Sequence, residues 1–200
     1  MKLIGLTGGI ATGKSTVSAE LARRGAAVVD SDVLAREVVR RGSAGFDEVV
    51  AAFGPAILDS RGDLDRGALA SLVFADETAR ASLERITHPR IRALSAERTA
   101  AALAAGAPLV VVDIPLLFEH RLQHGFDGTL LVYARDTTQL RRLRSRDGLD
   151  EVQARRRLAA QMPIDQKRQL ATWVIDNDGS RDSTREQVRR WWDEVVAGSS

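Results

Sequence analysis

The sequence predicts an α/β domain in which a five-stranded parallel sheet is covered by helices on both faces. Three observations carry that expectation. Short apolar runs without polar alternation recur along the chain, as strands buried on both faces do. Stretches with helical spacing separate them. The first run opens straight into a glycine-rich loop and then a helix, the order of a βα unit.

The elements follow in order. Residues 2–7 are an apolar run that stops at Gly8 and Gly9. Lys14 to Arg23 reads as a helix, with Val17, Leu21 and Ala22 on one face. Ala26 to Val29 is a second run ending at Asp30, and Ser31 to Arg40 reads as a helix that Ser31 or Asp32 can cap. Residues 42–54 give a turn and a short helix that Pro55 ends, and 55–66 a loop or small hairpin around Gly62. From Arg66 to Ala105 the pattern is helical, with Pro89 expected to break it and Thr87 or His88 to cap a new helix. Leu109 to Val112, followed by Asp113, and Gly128 to Val132 read as buried strands. Thr137–Arg146 and Leu149–Met162 read as helices flanking the Asp147-Gly148 turn, with Pro163 stopping the second. Ala171–Ile175 is the last strand and Asp182–Val196 a closing amphipathic helix. Trp173, Trp191 and Trp192 are assigned to packing.

Composition narrows the function. Two hundred residues suit one domain, and 44% hydrophobic with 28% charged residues is ordinary for a folded soluble chain. A net charge of only +2 gives no polycationic footprint for nucleic acid. The absence of cysteine removes disulfides, thiolate metal sites and cysteine nucleophiles together. No apolar run approaches the length of a membrane helix and no signal peptide is visible, so the expected location is the cytoplasm.

The strongest chemical signal is Gly8-Gly9-Ile10-Ala11-Thr12-Gly13-Lys14-Ser15, followed by Thr16. It satisfies G-x-x-x-x-G-K-[ST] between a strand and a helix. Glycines let successive N–H groups converge on phosphate oxygens, and the helix N-terminus adds partial positive charge. Lys14 is expected on the β- and γ-phosphates and the Ser15 hydroxyl on Mg²⁺. Asp113, ending an apolar strand, is either a second contributor to the metal or a cap for the helix or turn after the strand. Asp30 and Asp32 lie just beyond another strand's carboxyl end, where one of them can take a hydroxyl proton from an acceptor, and Asp32 can instead be a helix cap. Among the arginines around the Asp147-Gly148 turn, Arg142 and Arg146 are four apart and share a helical face, which suits a lid closing over phosphates. His88 precedes Pro89, Arg90 and Arg92 at an expected helix start, a place for an anionic substrate.

Together these pieces resemble the dephospho-coenzyme A kinase family over essentially the whole length. The marks are residues 4–10 leading into the P-loop, Asp30-Ser31-Asp32, His88 to Arg92, and Val112-Asp113-Ile114-Pro115-Leu116-Leu117-Phe118-Glu119. Gln139 to Gly148, Arg157 to Gln161 and Asn177 complete the set. The family loop usually has Gly-Ser where this chain has Ala11-Thr12, commonly Ala at Ser31, and often an Asp at Thr172. The resemblance implies a P-loop NTPase three-layer α/β/α sandwich, nucleoside monophosphate kinase-like: a core of about 1–40, 105–135 and 165–200, a helical substrate-binding region of about 41–104 and a lid of about 136–164. It implies transfer from ATP, with Mg²⁺, to the ribose 3′-hydroxyl of dephospho-coenzyme A, the last step of coenzyme A synthesis.

Asp32 is then the base. His88, Arg92 and residues Pro115, Leu116, Leu117, Phe118 and Glu119 line the acceptor side. Gly9 to Thr16, Arg142, Arg146 and Asn177 hold ATP. The expected partners are these small molecules, with no nucleic acid or membrane, in a monomer or weak homo-oligomer. A nucleoside monophosphate kinase is the nearest alternative, and Asp32 argues against it because a phosphate acceptor needs no base. A slowly hydrolysing switch protein predicts a large exposed apolar patch.

Overall fold

The computed structural model describes residues 2–197. Five strands form one sheet: β1 (Lys2–Gly8), β2 (Ala27–Asp30), β3 (Leu109–Asp113), β4 (Gly128–Tyr133) and β5 (Trp173–Asp176), in the order β2-β3-β1-β4-β5. The pairings of β1 with β3 and β4, and of β4 with β5, are parallel. Central β1 and its neighbours β3 and β4 are almost wholly buried, which explains why they read as unbroken apolar runs.

Alternation along β4 separates the two faces. Leu130 and Val132 join Ile4, Leu6, Val17 and Leu21 in one core, packed against helices α1 (Lys14–Arg23) and α9 (Arg181–Trp192). Leu131 and Tyr133 point the other way and pack with Ile164 of α8 (Ile164–Leu170). The result is the three-layer α/β/α arrangement expected. Trp173 and Trp191 meet edge-on in the first core, with ring centroids 5.9 Å apart.

The chain divides into two compact units, residues 1–29 with 101–200, and residues 30–100. The sheet-bearing unit also carries α6 (Asp136–Asp147) and α7 (Glu151–Ala159). The second unit holds α2 (Ser31–Glu37), α3 (Ala44–Phe53), α4 (Arg66–Ala75) and most of α5 (Glu77–Ala104). Its core is Val38, Val39, Val49, Ile57, Leu69 and Ile86. The small hairpin around Gly62 is present as a Leu58–Leu64 bridge. The division at Val29/Asp30 puts α2 with the helical unit rather than with the sheet.

Three expectations are corrected. Pro89 does not break the chain into two helices: α5 runs through it for 28 residues. Proline removes one ladder bond and crowds the preceding turn. Packing of Ile86, Ile91 and Leu94 into the helical unit's core on both sides of the proline holds the helix through it. His88 is therefore mid-helix, and no helix N-terminus stands there. The second correction is α8, over residues to which the sequence pattern assigns no element: Pro163 stops one helix and stands at the N-cap of the next. The third is the cap of α2, supplied by Asp30 rather than by Ser31 or Asp32. Among the described residues, no helix is long and apolar enough to cross a membrane.

Candidate active site

The phosphate loop leaves the end of central β1 and is fixed from both sides. At Gly13, φ is +88°, and a Cβ there would lie 2.1 Å from the Asn177 side-chain nitrogen, so only glycine fits. That amide donates to the Thr12 carbonyl (2.6 Å), which also accepts from Arg142 Nη1 (3.2 Å), while Arg142 Nη2 donates to the Asn177 carbonyl (2.7 Å). Asn177 Oδ1 accepts from the Thr184 hydroxyl (2.7 Å), so both ends of this buried side chain are occupied. On the opposite flank, the Ile10 N–H donates to Gln161 Oε1 at 2.7 Å. Buried Gln139, its Nε2 bonded to the Ala134 carbonyl (2.7 Å), sets its other end where a Cβ on Gly9 would meet it at 2.6 Å. Thr12 is buried and its hydroxyl donates to the Gly9 carbonyl (2.9 Å). Ala11 is held at φ +59°, in the left-handed region.

Helix α1 has no side-chain N-cap, so its first N–H groups keep the capacity to bind phosphate oxygens. Lys14 opens that helix and forms an ion pair with Asp113. Parallel register explains the meeting: Asp113, 2% exposed, lies opposite Leu6, two residues before β1 ends. The Ser15 and Thr16 hydroxyls are exposed beside it in sequence. Among the described residues no group of three or more His, Cys, Asp or Glu side chains could hold a metal. One hydroxyl and one carboxylate still fit Mg²⁺, a hard ion that takes its remaining oxygens from phosphates and water.

Arg142 and Arg146 make separate contacts. Arg142 is tied into the loop as described. Arg146 bonds Asp147 in a bidentate fashion (2.6 and 3.0 Å), and Arg157 reaches the same carboxylate (3.1 Å). The hydrogen bond and charge of Arg146 hold the Asp147 carboxyl below its ordinary range, outweighing what burial there is. The pair thus joins α6 to α7 across the turn. Helix α7 starts on an Asp150–Gln153 capping box.

Glu119 takes a structural position in this unit. Its Oε1 accepts from the Met162 N–H (3.0 Å) and from Lys167 Nζ (2.7 Å), and Lys167 is fully buried. Lys167 also donates to the Pro115 carbonyl (3.3 Å), which Thr7 Oγ1 reaches from β1 (3.1 Å). Leu117 and Phe118 are 0% and 3% exposed, and Leu117 packs on Gly5, so their side chains offer a substrate no surface here. Pro115 and Leu116 are half-buried.

In the helical unit, Asp30 and Asp32 differ sharply. Asp30 caps α2, its Oδ1 accepting from the N–H groups of Asp32 (2.8 Å) and Val33 (3.2 Å). Asp32 is exposed in the helix's first turn. His88 is half-buried and Arg92, one turn on, is exposed. Arg90 is committed to Glu48 (2.5 Å). Three residues that sequence reading did not single out, Gln161 as a loop anchor, Lys167 and Thr184, prove central. No local signal pointed to Lys167, which stands in the polar run Asp165-Gln166-Lys167-Arg168-Gln169.

Comparison with known proteins agrees with this geometry. A family model described as dephospho-CoA kinase matches residues 2–183. The dephospho-CoA kinase of Geobacter metallireducens is 48% identical over 196 residues, 98% of each chain. That of Geobacillus kaustophilus is 46% identical over 193 residues, 95% of this chain and 96% of its own. A crystal structure from Thermus thermophilus superposes with a TM-score of 0.83 at 39% identity, covering 96% of this chain and 97% of that one. The dephospho-CoA kinase from Campylobacter jejuni gives 0.73 at 26% identity, covering 99% and 98%. A shikimate kinase from Acinetobacter baumannii, at 0.53 and 17% identity, shares the fold.

Proposed function

The chain belongs to the dephospho-CoA kinase family, whose activity is ATP-dependent phosphorylation of dephospho-CoA to CoA, and on that premise we propose how its residues divide the reaction. The observation that carries the reading is the unequal use of two neighbouring aspartates. Asp30 is consumed by capping, which leaves Asp32 to face the acceptor. Asp32 orients the ribose 3′-hydroxyl and takes its proton. The hydroxyl oxygen bonds to the γ-phosphorus, the bond to the β–γ bridging oxygen breaks, and ADP leaves. A loose transition state asks little basicity of Asp32.

The loop N–H groups and Lys14 hold the triphosphate. Arg142 and Asn177 keep the loop shaped for it from behind, and Arg142 and Arg146 also reach toward phosphate when the nucleotide is bound. Ser15 and Asp113 would hold Mg²⁺, which supplies charge neutralisation across the β- and γ-phosphates. His88, Arg92, Pro115 and Leu116 line the acceptor side in this reading. Backbone groups around Asn177, rather than its committed side chain, serve the adenine. The protein works in the cytoplasm as a monomer or weak homo-oligomer, which light scattering tests.

The decisive experiment is ADP release with ATP and Mg²⁺, with and without dephospho-CoA, with the product weighed by mass spectrometry. Stimulation with a product at the CoA mass is expected. Acceptor-independent ADP release would overturn the reading in favour of a hydrolytic switch.

A further inference from the structure

The helical unit contains a cavity of about 620 Å³ that no role above uses. Arg36, Arg40, Arg41 and Arg66 line it, with Val33 and Leu64 supplying apolar surface. The acids around it are largely committed. Glu37 is paired with Arg98 (2.9 Å). Asp59 accepts from the N–H groups of Arg61 (2.9 Å) and Asp63 (3.0 Å) and from the Arg61 guanidinium (3.4 Å). Asp65, beside Arg66, caps α4 through Gly67 and Ala68 (2.9 Å each). Arg41 is spent on the Arg61 carbonyl (2.6 Å). Arg36, Arg40 and Arg66 have no ion-pair partner among the described residues. Three guanidiniums thus line one concave surface beside Glu37, Asp59 and Asp63, of which Glu37 and Asp59 are already bonded to other groups. That arrangement suits an anion with several oxygens, because guanidinium forks take such oxygens in pairs.

Position identifies which anion. Arg36 follows Asp32 by four residues on α2, so the two share a face about 6 Å apart along the axis. Dephospho-CoA carries its diphosphate on the 5′ side of the ribose whose 3′-hydroxyl is phosphorylated. With that hydroxyl at Asp32, the diphosphate falls about one helical turn away. Val33, 52% exposed, and half-buried Leu64 offer a surface for the aliphatic arm beyond it. We propose that Arg36 and Arg66, with Arg40 at the rim, bind the diphosphate of dephospho-CoA and select an acceptor that carries one. This rests on the acceptor assignment made above.

The test is steady-state kinetics of Arg36→Gln, Arg66→Gln and the double variant, varying each substrate in turn, beside calorimetric titration with dephospho-CoA alone. The expected result is a KM for dephospho-CoA raised roughly tenfold to hundredfold per arginine, since each removed bond joins two charged groups. Affinity in the titration should fall in step, while kcat, the KM for ATP and the melting temperature stay at wild-type values. Arg36→Lys and Arg66→Lys should recover part of the loss. An unchanged KM for dephospho-CoA overturns the site, as does an equal rise in the KM for ATP, which would mean damage without selectivity. Wild-type protein that turns over no dephospho-CoA sinks the acceptor assignment instead, and an equal titration affinity in wild type and variants still tells against the arginines.

Discussion

Gln161 and Ile10 are 151 positions apart, yet the side-chain carbonyl of the first accepts the N–H of the second at 2.7 Å. The next residue, Met162, donates its N–H to Glu119. The segment that leaves α7 is thereby pinned to the phosphate loop on one side and to the turn after β3 on the other. Replacing the acceptor while keeping length, Gln161→Met, should lower kcat/KM for ATP about three- to tenfold, the worth of one hydrogen bond. Gln161→Glu keeps an acceptor and should stay near wild type at neutral pH. Steady-state rates with ATP varied decide it, and a Met variant indistinguishable from wild type would remove the bond from the mechanism.

Lys14 and Asp32 should not cost the same. Charge positioned on the transferring phosphoryl group outweighs proton abstraction when the transition state is loose. Asp32→Asn is expected to lose about 10²–10⁴-fold in kcat, the usual range for a general base. Lys14→Ala should lose more. At saturating substrates, an Asp32→Asn enzyme as slow as Lys14→Ala or slower reverses that order.

Legibility in the sequence followed how locally each feature is determined. Leu109 to Val112 reads as a buried strand because both faces are covered, and the phosphate loop reads because few compositions place N–H groups that way. Asp30 and Asp32 could not be separated by pattern, since either carboxylate fits a helix start, and only the bonds to the Asp32 and Val33 N–H groups assign the cap. Pro89 misled because its penalty is local whereas the helix around it is stabilised by packing of Ile86, Ile91 and Leu94 in the second core. Helix α8 was missed because Lys167 looks solvent-facing until Glu119, 48 residues earlier, supplies its partner.

Asp178 links stability to pH. Burial alone would raise its carboxyl, but bonds from the Arg135 side chain and N–H, with help from Thr138, win and hold it below the ordinary value. A depressed folded-state pKa stabilises the fold above the unfolded pKa of about 3.9. That contribution is lost as pH falls through the lower folded value. Acid melting curves should therefore steepen below about pH 4. Asp178→Asn should flatten the slope in that window while leaving its neutral-pH melting temperature lower. An identical slope in the two proteins tells against the linkage.

Glu119 and Lys167 make a pair whose halves should not be separable. Lys167 is fully buried. Glu119→Gln leaves that ammonium without a counter-charge, a loss of about 3 kcal/mol by the usual cost of breaking a buried pair. Glu119→Gln combined with Lys167→Met removes the orphaned charge and should regain much of the stability. Denaturant unfolding of Glu119→Gln, Lys167→Met and the double variant measures the coupling, and additive losses would mean that the pair is not an energetic unit.

Ala11 occupies φ +59°, a conformation that costs an L-residue about 1 kcal/mol and costs glycine nothing. Glycine, which the family resemblance implies at this position, would adopt that geometry without strain. Ala11→Gly relieves the strain but frees the unfolded chain, so the two effects oppose each other. Strain at a positive φ is the larger, and the melting temperature should rise by about 2 °C for a domain of this size. Because the Thr12 carbonyl, Gly9 and Ile10 are held by Asn177, Arg142, Gln139 and Gln161, the loop's path should not change, and kcat/KM for ATP should stay within about twofold, the range of an interaction left intact. Differential scanning fluorimetry with parallel kinetics checks both. A lowered melting temperature would show that the surrounding bonds, rather than the backbone preference at residue 11, set the loop's energy.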